Sequence, residues 1–485
     1  MDGQLRRAVN ATLMPGFPGP DLPGWLSAEL ADGLGAVCLF GSNIVAPGQV
    51  RGLTKAIHAA NPDAVVATDE EGGDVTRLHH RDGSPAPSMA YLGHRDDLAL
   101  THSVAAGIGA ELRAAGIDLN LAPVADVNAN PRNPVIGVRS FGADADLVAR
   151  HVAAYVEGLQ SAGVGAVAKH FPGHGDTGTD SHLGLPAIAV DAATLGVREL
   201  PPFTAAVAAR TVAVMTSHIL VPALDPRRPA TFSPAVLGEL RRRGFTGAIV
   251  SDALDMAGAS ADRGIPEAAV LALAAGVDLL CLGSESTAEL LDAVRRHILG
   301  AVAQRRLAPS RVLNAAGRVH TMSSELARLR GVAVDPPSEP VAVDPSGFLL
   351  RAPIEPVVAP VLLRLASPAS IAAGETPWGV GDHLAGDLTA RLPGATTLTV
   401  ADLDALADVL RRYGQRPLIV QGRDLNRVEF LQTACATVLR QRPDALLVEL
   451  GWPDHTGPVR LDVVTFGSGR GAAIGLIQLL AEGAR

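Results

Sequence analysis

Apolar residues in this chain gather in short continuous runs rather than in alternating ones. In order they are TLMPGF from Thr12, GAVCLF from Gly35, VVATDE from Val65 and LNLAPV from Leu119. The series continues with GAVAKHF from Gly165, AVMTSHI from Ala213, GAIVSDA from Gly247 and VDLLCLG from Val277. Runs that are apolar on both faces predict strands buried on both sides, as in a parallel sheet. Alanine- and leucine-rich segments with helical spacing lie between them, such as Leu147 to Leu159 and Pro266 to Ala275. About eight such strand–helix units over residues 1–330 predict an α/β fold, a (β/α)8 TIM-type barrel, which commonly takes about 250 residues or more. A doubly wound open sheet accepts the same alternation. It would bring only the strand ends near its switch point into one crevice.

The pattern changes at GVAVDPPSEPVAVDPSG, residues 331–347, which is proline-rich, lacks helical periodicity and reads as a linker. Beyond it, VVAPVLLRLA, ATTLTV, PLIVQG, ALLVEL and VRLDVVTFG predict further strands. Ala401 to Tyr413 and Val428 to Arg440 predict helices between them. The expected organisation is a catalytic barrel over 1–330, the linker, and a smaller C-terminal α/β sandwich domain over 348–485.

Composition narrows the function classes. A formal net charge of −9 argues against a nucleic-acid surface or an anionic membrane as partner. Cys38, Cys281 and Cys435 are too widely spaced for a disulfide framework or a paired zinc knuckle. The opening MDGQLRRAVNATLMPGF has no apolar run followed by a small-residue cleavage site, and no stretch is apolar enough to span a membrane. The expectation is a soluble cytoplasmic protein.

Polar residues then fall into register with the predicted strands. Asp69, Asp126, Lys169, His170, His218 and Asp252 each stand at or just after a strand end, and in a parallel barrel those ends share the face where chemistry is done. The densest stretch is KHFPGHGDTGTDSH, from Lys169 to His182. Asp180 and His182 are one residue apart, so in extended chain both side chains point the same way. A carboxylate beside an imidazole stabilises its charged form, as a histidine general acid requires. A metal reading competes, since His170, His174, Asp176 and His182 supply nitrogen and oxygen ligands, but Lys169 would place a cation beside the ion. Asp252 reads either as a carboxylate nucleophile or as the cap of the next helix, and Asp255 as a surface or capping residue. Asp69, Arg77 and Arg139 add groups able to grip a polyhydroxylated, partly anionic ligand, although a lone arginine is more often a surface ion-pair partner. Asp126 and His218 read as orienters of other residues or as satisfied polar groups. VTFGSGRGAAIGLIQLL near the C-terminus has the outline of a phosphate-binding turn without matching a nucleotide motif, and plain strand–turn–helix packing is the simpler reading. His455 reads as a loop histidine.

Taken together, KHFPGHGDTGTDSH, VSDALDM, DEEGG…TRL and NPVIGVRSFG resemble glycoside hydrolase family 3, in its two-domain β-N-acetylglucosaminidase branch acting on cell-wall muropeptides. The resemblance covers about residues 10 to 320. It implies a retaining exo-acting enzyme with Asp252 as nucleophile, His182 as general acid/base and Asp180 as its partner. Asp69, Arg77, Arg139, Lys169 and His170 would bind the sugar, with no metal or organic cofactor. The implied partner is a small carbohydrate, with water or phosphate as acceptor. A metal-dependent barrel hydrolase and a non-catalytic sugar-binding protein are the competing readings. Two departures stand out: Glu70-Glu71-Gly72-Gly73-Asp74 in place of the branch's Q-E-G-G and a basic residue, and Ser251-Asp252-Ala253 in place of S-D-D. Glu70 and Asp74 are expected to make the pocket rim more acidic.

Overall fold

The computed structural model describes residues 2–178, 180, 184–331, 341–367 and 372–484. They fall into two compact units. In the first, every predicted run contains a strand: β1 (Leu13–Met14), β2 (Ala36–Leu39), β3 (Val65–Thr68), β4 (Leu119–Asn120), β5 (Gly165–Phe171), β6 (Ala213–Thr216), β7 (Ala248–Val250) and β8 (Leu280–Cys281). Strands β2 to β7 pair in chain order, all parallel. β8 pairs parallel with β1, and Val250 of β7 bridges to Leu279 beside β8. The Cys38 N–H of β2 donates to the Pro15 carbonyl just past β1, at 3.0 Å. The sheet therefore closes on itself as a parallel barrel. Met14, Cys38, Ala67, Val167, Met215 and Val250 belong to one buried cluster inside it.

The helix Pro309–Arg330 closes one end. Its residues reach the segment ahead of β3 (Ser323 Oγ to the Asp63 carbonyl, 2.7 Å), ahead of β4 (Arg330 to Asp118, 2.7 Å) and ahead of β8 (Arg311 to Asp278). Leu326 packs onto Gly165 at the start of β5, so closely that a Cβ there would collide with it. Asp278 is fully buried, yet it accepts from Arg241 at 2.8 Å and from the Ile249 N–H at 3.0 Å, so its charge is compensated. With the amino-terminal mouth closed, the strands' carboxyl ends are left for chemistry. No helix among the described residues is long and apolar enough to cross a membrane.

The second unit is a doubly wound α/β sandwich. Its strands are β9 (Leu349–Leu350), β10 (Val361–Leu365), β11 (Thr396–Val400), β12 (Leu418–Gly422), β13 (Leu446–Glu449) and β14 (Val463–Val464). They lie in the order β9-β14-β13-β12-β10-β11, all parallel except β9. Val361, Leu363 and Leu365 face the helices Leu403–Tyr413 and Glu429–Gln441 in one core, while the helices Ala385–Arg391 and Arg470–Glu482 pack on each other.

This unit also takes in Gly72–Asp96 and Gly137–Phe141, which a boundary at residue 330 assigns to the barrel. Hydrogen bonds explain it: Asp74 accepts from Ser468, Arg77 donates to the Ala372 carbonyl at 3.0 Å, and the Tyr91 hydroxyl donates to the Asp344 carbonyl at 2.7 Å. Such long-range pairing leaves no periodic signal. Of the expected linker, 332–340 lie outside the described residues, and Pro345–Gly347 form a 3-10 turn. The edge strand β9 and the hairpin of Leu220–Val221 with Asp225–Pro229 were not anticipated, since their apolar stretches are only a few residues long and Asp225–Pro229 has none.

Candidate active site

Five consecutive strands, β3 to β7, deliver polar groups to the open end of the barrel. At its centre is Lys169, the fifth residue of β5 and only 2% exposed. Its ammonium lies 2.7 Å from Asp69 Oδ1 and 2.6 Å from Glu71 Oε1, both just past β3. Burying a lysine is costly unless it is paired and hydrogen-bonded, and here two carboxylates do that. Asn120 at the end of β4 fixes the β3 loop: its amide accepts from the Glu70 N–H at 3.0 Å and donates to the Glu70 carbonyl at 2.8 Å. The Tyr155 hydroxyl donates to the Glu71 carbonyl at 3.1 Å, and burial, then the nearby Glu71 and Glu70 charges, hold it well above the usual tyrosine range. Glu71 was missed in the sequence reading. The signal was present, two residues after Asp69 at the same strand end.

Asp126, after β4, is fully buried and organises the next turn. It accepts from the His170 ring Nδ1 at 2.7 Å, from the His170 N–H at 3.1 Å and from the His174 N–H at 2.7 Å. Of the two readings left open for Asp126, orientation of another residue is the one the geometry supports. His174 is buried one turn on. The Thr177 hydroxyl donates to the His174 carbonyl at 3.0 Å, so its oxygen accepts from the His174 Nδ1 at 2.7 Å. Asn133 also donates to that carbonyl, at 2.8 Å.

Burial pushes the His174 ring down to about 4, assisted by His170 and opposed by the Asp126 and Asp252 carboxylates. A folded pKa below the ordinary 6.5 means that its stabilising contribution is present above pH 6.5 and is lost as pH falls towards 4. The shift is equivalent to about 3 kcal/mol. A histidine-ring NMR titration of the intact protein is expected to find one imidazole that stays neutral until about pH 4. Ordinary titration of every ring near 6.5 would contradict this.

Past β6, His218 is fully buried, with Nε2 at 3.0 Å from the Ala253 carbonyl and Nδ1 at 2.9 Å from the Thr231 hydroxyl. A carbonyl only accepts, so Nε2 carries the hydrogen. His218 thereby braces the peptide next to Asp252, again an orienter. Ser251 Oγ accepts from the Cys281 N–H at 3.0 Å, tying the end of β7 to β8. Asp252 is half-buried, accepts from the Ala253 N–H at 2.8 Å, and acts electrostatically on His174. It begins no helix: the next starts at Ala257, so the capping reading fails. Asp255 is exposed, as expected.

Arg77 and Arg139 belong to the second unit, Arg77 with its bond to Ala372 and Arg139 mostly buried in the 3-10 turn Gly137–Arg139. Asp180 is described, its carbonyl accepting from the Gly184 N–H at 3.2 Å, while His182 lies outside the described residues. Among the described residues no three histidine, cysteine or acidic side chains converge with metal-site geometry.

The acidic rim is corrected. Glu70 is 1% exposed, and Asp74 is half-buried within the second unit, accepting from the Ser468 N–H at 2.7 Å and its hydroxyl at 2.9 Å. Burial raises the Asp74 carboxyl, with Arg423 and the Ser468 and Gly469 donors opposing. The phosphate-like turn GSGRG thus receives an anion of its own chain.

A closed parallel barrel with a buried lysine, paired carboxylates and a half-buried aspartate at its strand ends has the build of a barrel enzyme acting on a polar substrate. The family model "Glycosyl hydrolase family 3 N terminal domain" matches residues 27–322, and the chain belongs to that family. It is 38% identical over 280 residues to a β-hexosaminidase of Methylococcus capsulatus, covering 56% of this chain and 83% of the relative. A family 3 β-N-acetylglucosaminidase from Paenibacillus sp. superposes with a TM-score of 0.87 at 30% identity, covering 98% of this chain and 96% of that one. A β-glucoside phosphorylase superposes at 0.76 over 99% of this chain and 92% of that one, but at 18% identity it shares the fold alone. The chain is thus an enzyme, a family 3 glycoside hydrolase.

Proposed function

We propose that this chain is a retaining exo-β-N-acetylglucosaminidase acting on terminal β-linked N-acetylglucosamine, with cell-wall muropeptides as the implied source. The observation that carries the reading is the Asp252 carboxylate at the end of β7, in the same strand-end array as the Lys169–Asp69–Glu71 cluster and the Asp126-held His170. In this reading Asp252 attacks the anomeric carbon opposite the departing oxygen and forms a glycosyl ester. His182, oriented by Asp180, gives the departing oxygen its proton. The neutral imidazole then takes a proton from water, which displaces Asp252, and two inversions give net retention. Lys169, Asp69 and His170 hold the sugar hydroxyls. The β-hexosaminidase names of relatives more than 30% identical support water as acceptor. Phosphate as acceptor has no such support.

The test is turnover of 4-nitrophenyl β-N-acetylglucosaminide with NMR of the first-formed sugar. Release of the β-anomer, unchanged by added phosphate, is expected. The α-anomer as first product would overturn retention, and turnover of the glucoside alone would overturn the substrate.

A further inference from the structure

Glu199 has no part in the chemistry above, yet its surroundings are unusual for a carboxylate. It ends a one-turn π-helix, Leu195–Glu199, and is fully buried. Its Oε1 accepts from the Arg198 Nε at 2.6 Å, and the other arm of Arg198 reaches Asp176 at 2.7 Å. Its Oε2 is buried with no hydrogen-bond partner among the described residues. That oxygen lies against Gly173: a Cβ there would be 2.7 Å from Oε2 and 3.1 Å from the Glu199 Cβ.

A buried carboxylate with an unsatisfied oxygen is costly, and an apolar side chain would fill the space without the penalty. What the glutamate provides is a link. Gly173 donates its N–H to the His170 carbonyl at 2.8 Å, and Asp176 lies two residues beyond His174. The turn from His170 to Asp176 is therefore held by Asp126 through His170 and His174, and by Glu199 through packing on Gly173 and the Arg198 bridge. Burial is the largest influence on the Glu199 carboxyl and pushes it up to about 7; Arg198 opposes, while Asp126 and Asp176 add to the rise. Glu199 thus feels both other carboxylates around this turn.

We propose that Glu199, acting through Arg198 and against Gly173, is a positioning residue for the His170–Asp176 turn and sets how tightly that turn holds the sugar. This rests on the reading of Lys169 and His170 as sugar ligands.

The experiment compares the full-length wild type with Glu199→Ala, Glu199→Gln and Arg198→Met. Steady-state kinetics on the aryl N-acetylglucosaminide are read alongside amide hydrogen exchange over residues 170–177. Glu199→Ala is expected to raise KM about tenfold with kcat within about twofold, since a displaced binding group costs at least that much. Glu199→Gln keeps the shape and the acceptor for Arg198, and should return KM to near wild type. Arg198→Met, at a residue itself partly exposed, takes the partner from the buried Glu199 carboxylate and should raise KM in the same direction. Faster exchange over 170–177 should accompany each rise in KM. Wild-type KM and exchange in both Glu199→Ala and Arg198→Met would overturn the proposal, as would a fall in kcat alone. If the wild type does not turn over this sugar, the functional reading fails, while unchanged exchange in both variants would overturn the positioning role separately.

Discussion

Asp252→Ala is expected to lower kcat/KM on an aryl β-N-acetylglucosaminide by about 10⁴-fold, the scale seen when one member of a catalytic unit is removed. A surface or capping aspartate would cost far less. The carboxylate is half-buried and accepts from the N–H of its own neighbour, so its loss should change unfolding free energy by no more than about 1 kcal/mol. The peptide beside it is held independently, by His218 on the Ala253 carbonyl and by Ser251 on β8. A folded but inactive variant is therefore the expected result. Added azide should restore part of the turnover and give a product of opposite anomeric configuration, because a small anion can enter the space the carboxylate leaves. Retention of a tenth or more of wild-type activity would rule Asp252 out as the nucleophile. So would azide products of unchanged configuration.

The barrel was legible because its strands are continuous apolar runs separated by segments with helical spacing, so each run located its own strand. Strand-end positions followed, which is why Asp69, Asp126, Lys169, His170, His218 and Asp252 all map to the carboxyl ends of β3 to β7. What pattern cannot show is pairing across distance. Glu71 was visible as a residue but not as the second partner of Lys169, since that depends on β3 and β5 flanking β4. Asp74 looked like rim charge because nothing local links it to Ser468, almost four hundred residues on. The same blindness hid the membership of Gly72–Asp96 in the second unit. Glu199 was hidden by its setting, an unremarkable VREL segment whose burial only the packed turn reveals.

Lys169→Met is expected to act twice, and the two effects can be separated. The ammonium offsets two carboxylates, of which Glu71 is 2% exposed and the Asp69 side chain 17%. Removing it leaves like charges facing each other out of water, and breaking a buried pair in this way costs about 3–5 kcal/mol. If Lys169 holds the sugar as proposed, the same change also deletes a charged hydrogen bond to it, worth about 1.5–3 kcal/mol, or roughly a 10- to 100-fold loss in kcat/KM. Adding Glu71→Gln removes one of the stranded charges. Stability in urea should then recover by about half or more, whereas kcat/KM should stay low because the donor is still missing. If the double variant recovers both, Lys169 serves only to neutralise the carboxylates and does not touch the substrate. If Lys169→Met unfolds at the wild-type urea concentration, the 2.6 Å and 2.7 Å contacts carry no net stability in water, and the compact charge cluster at the end of β5 is not what holds the β3 loop.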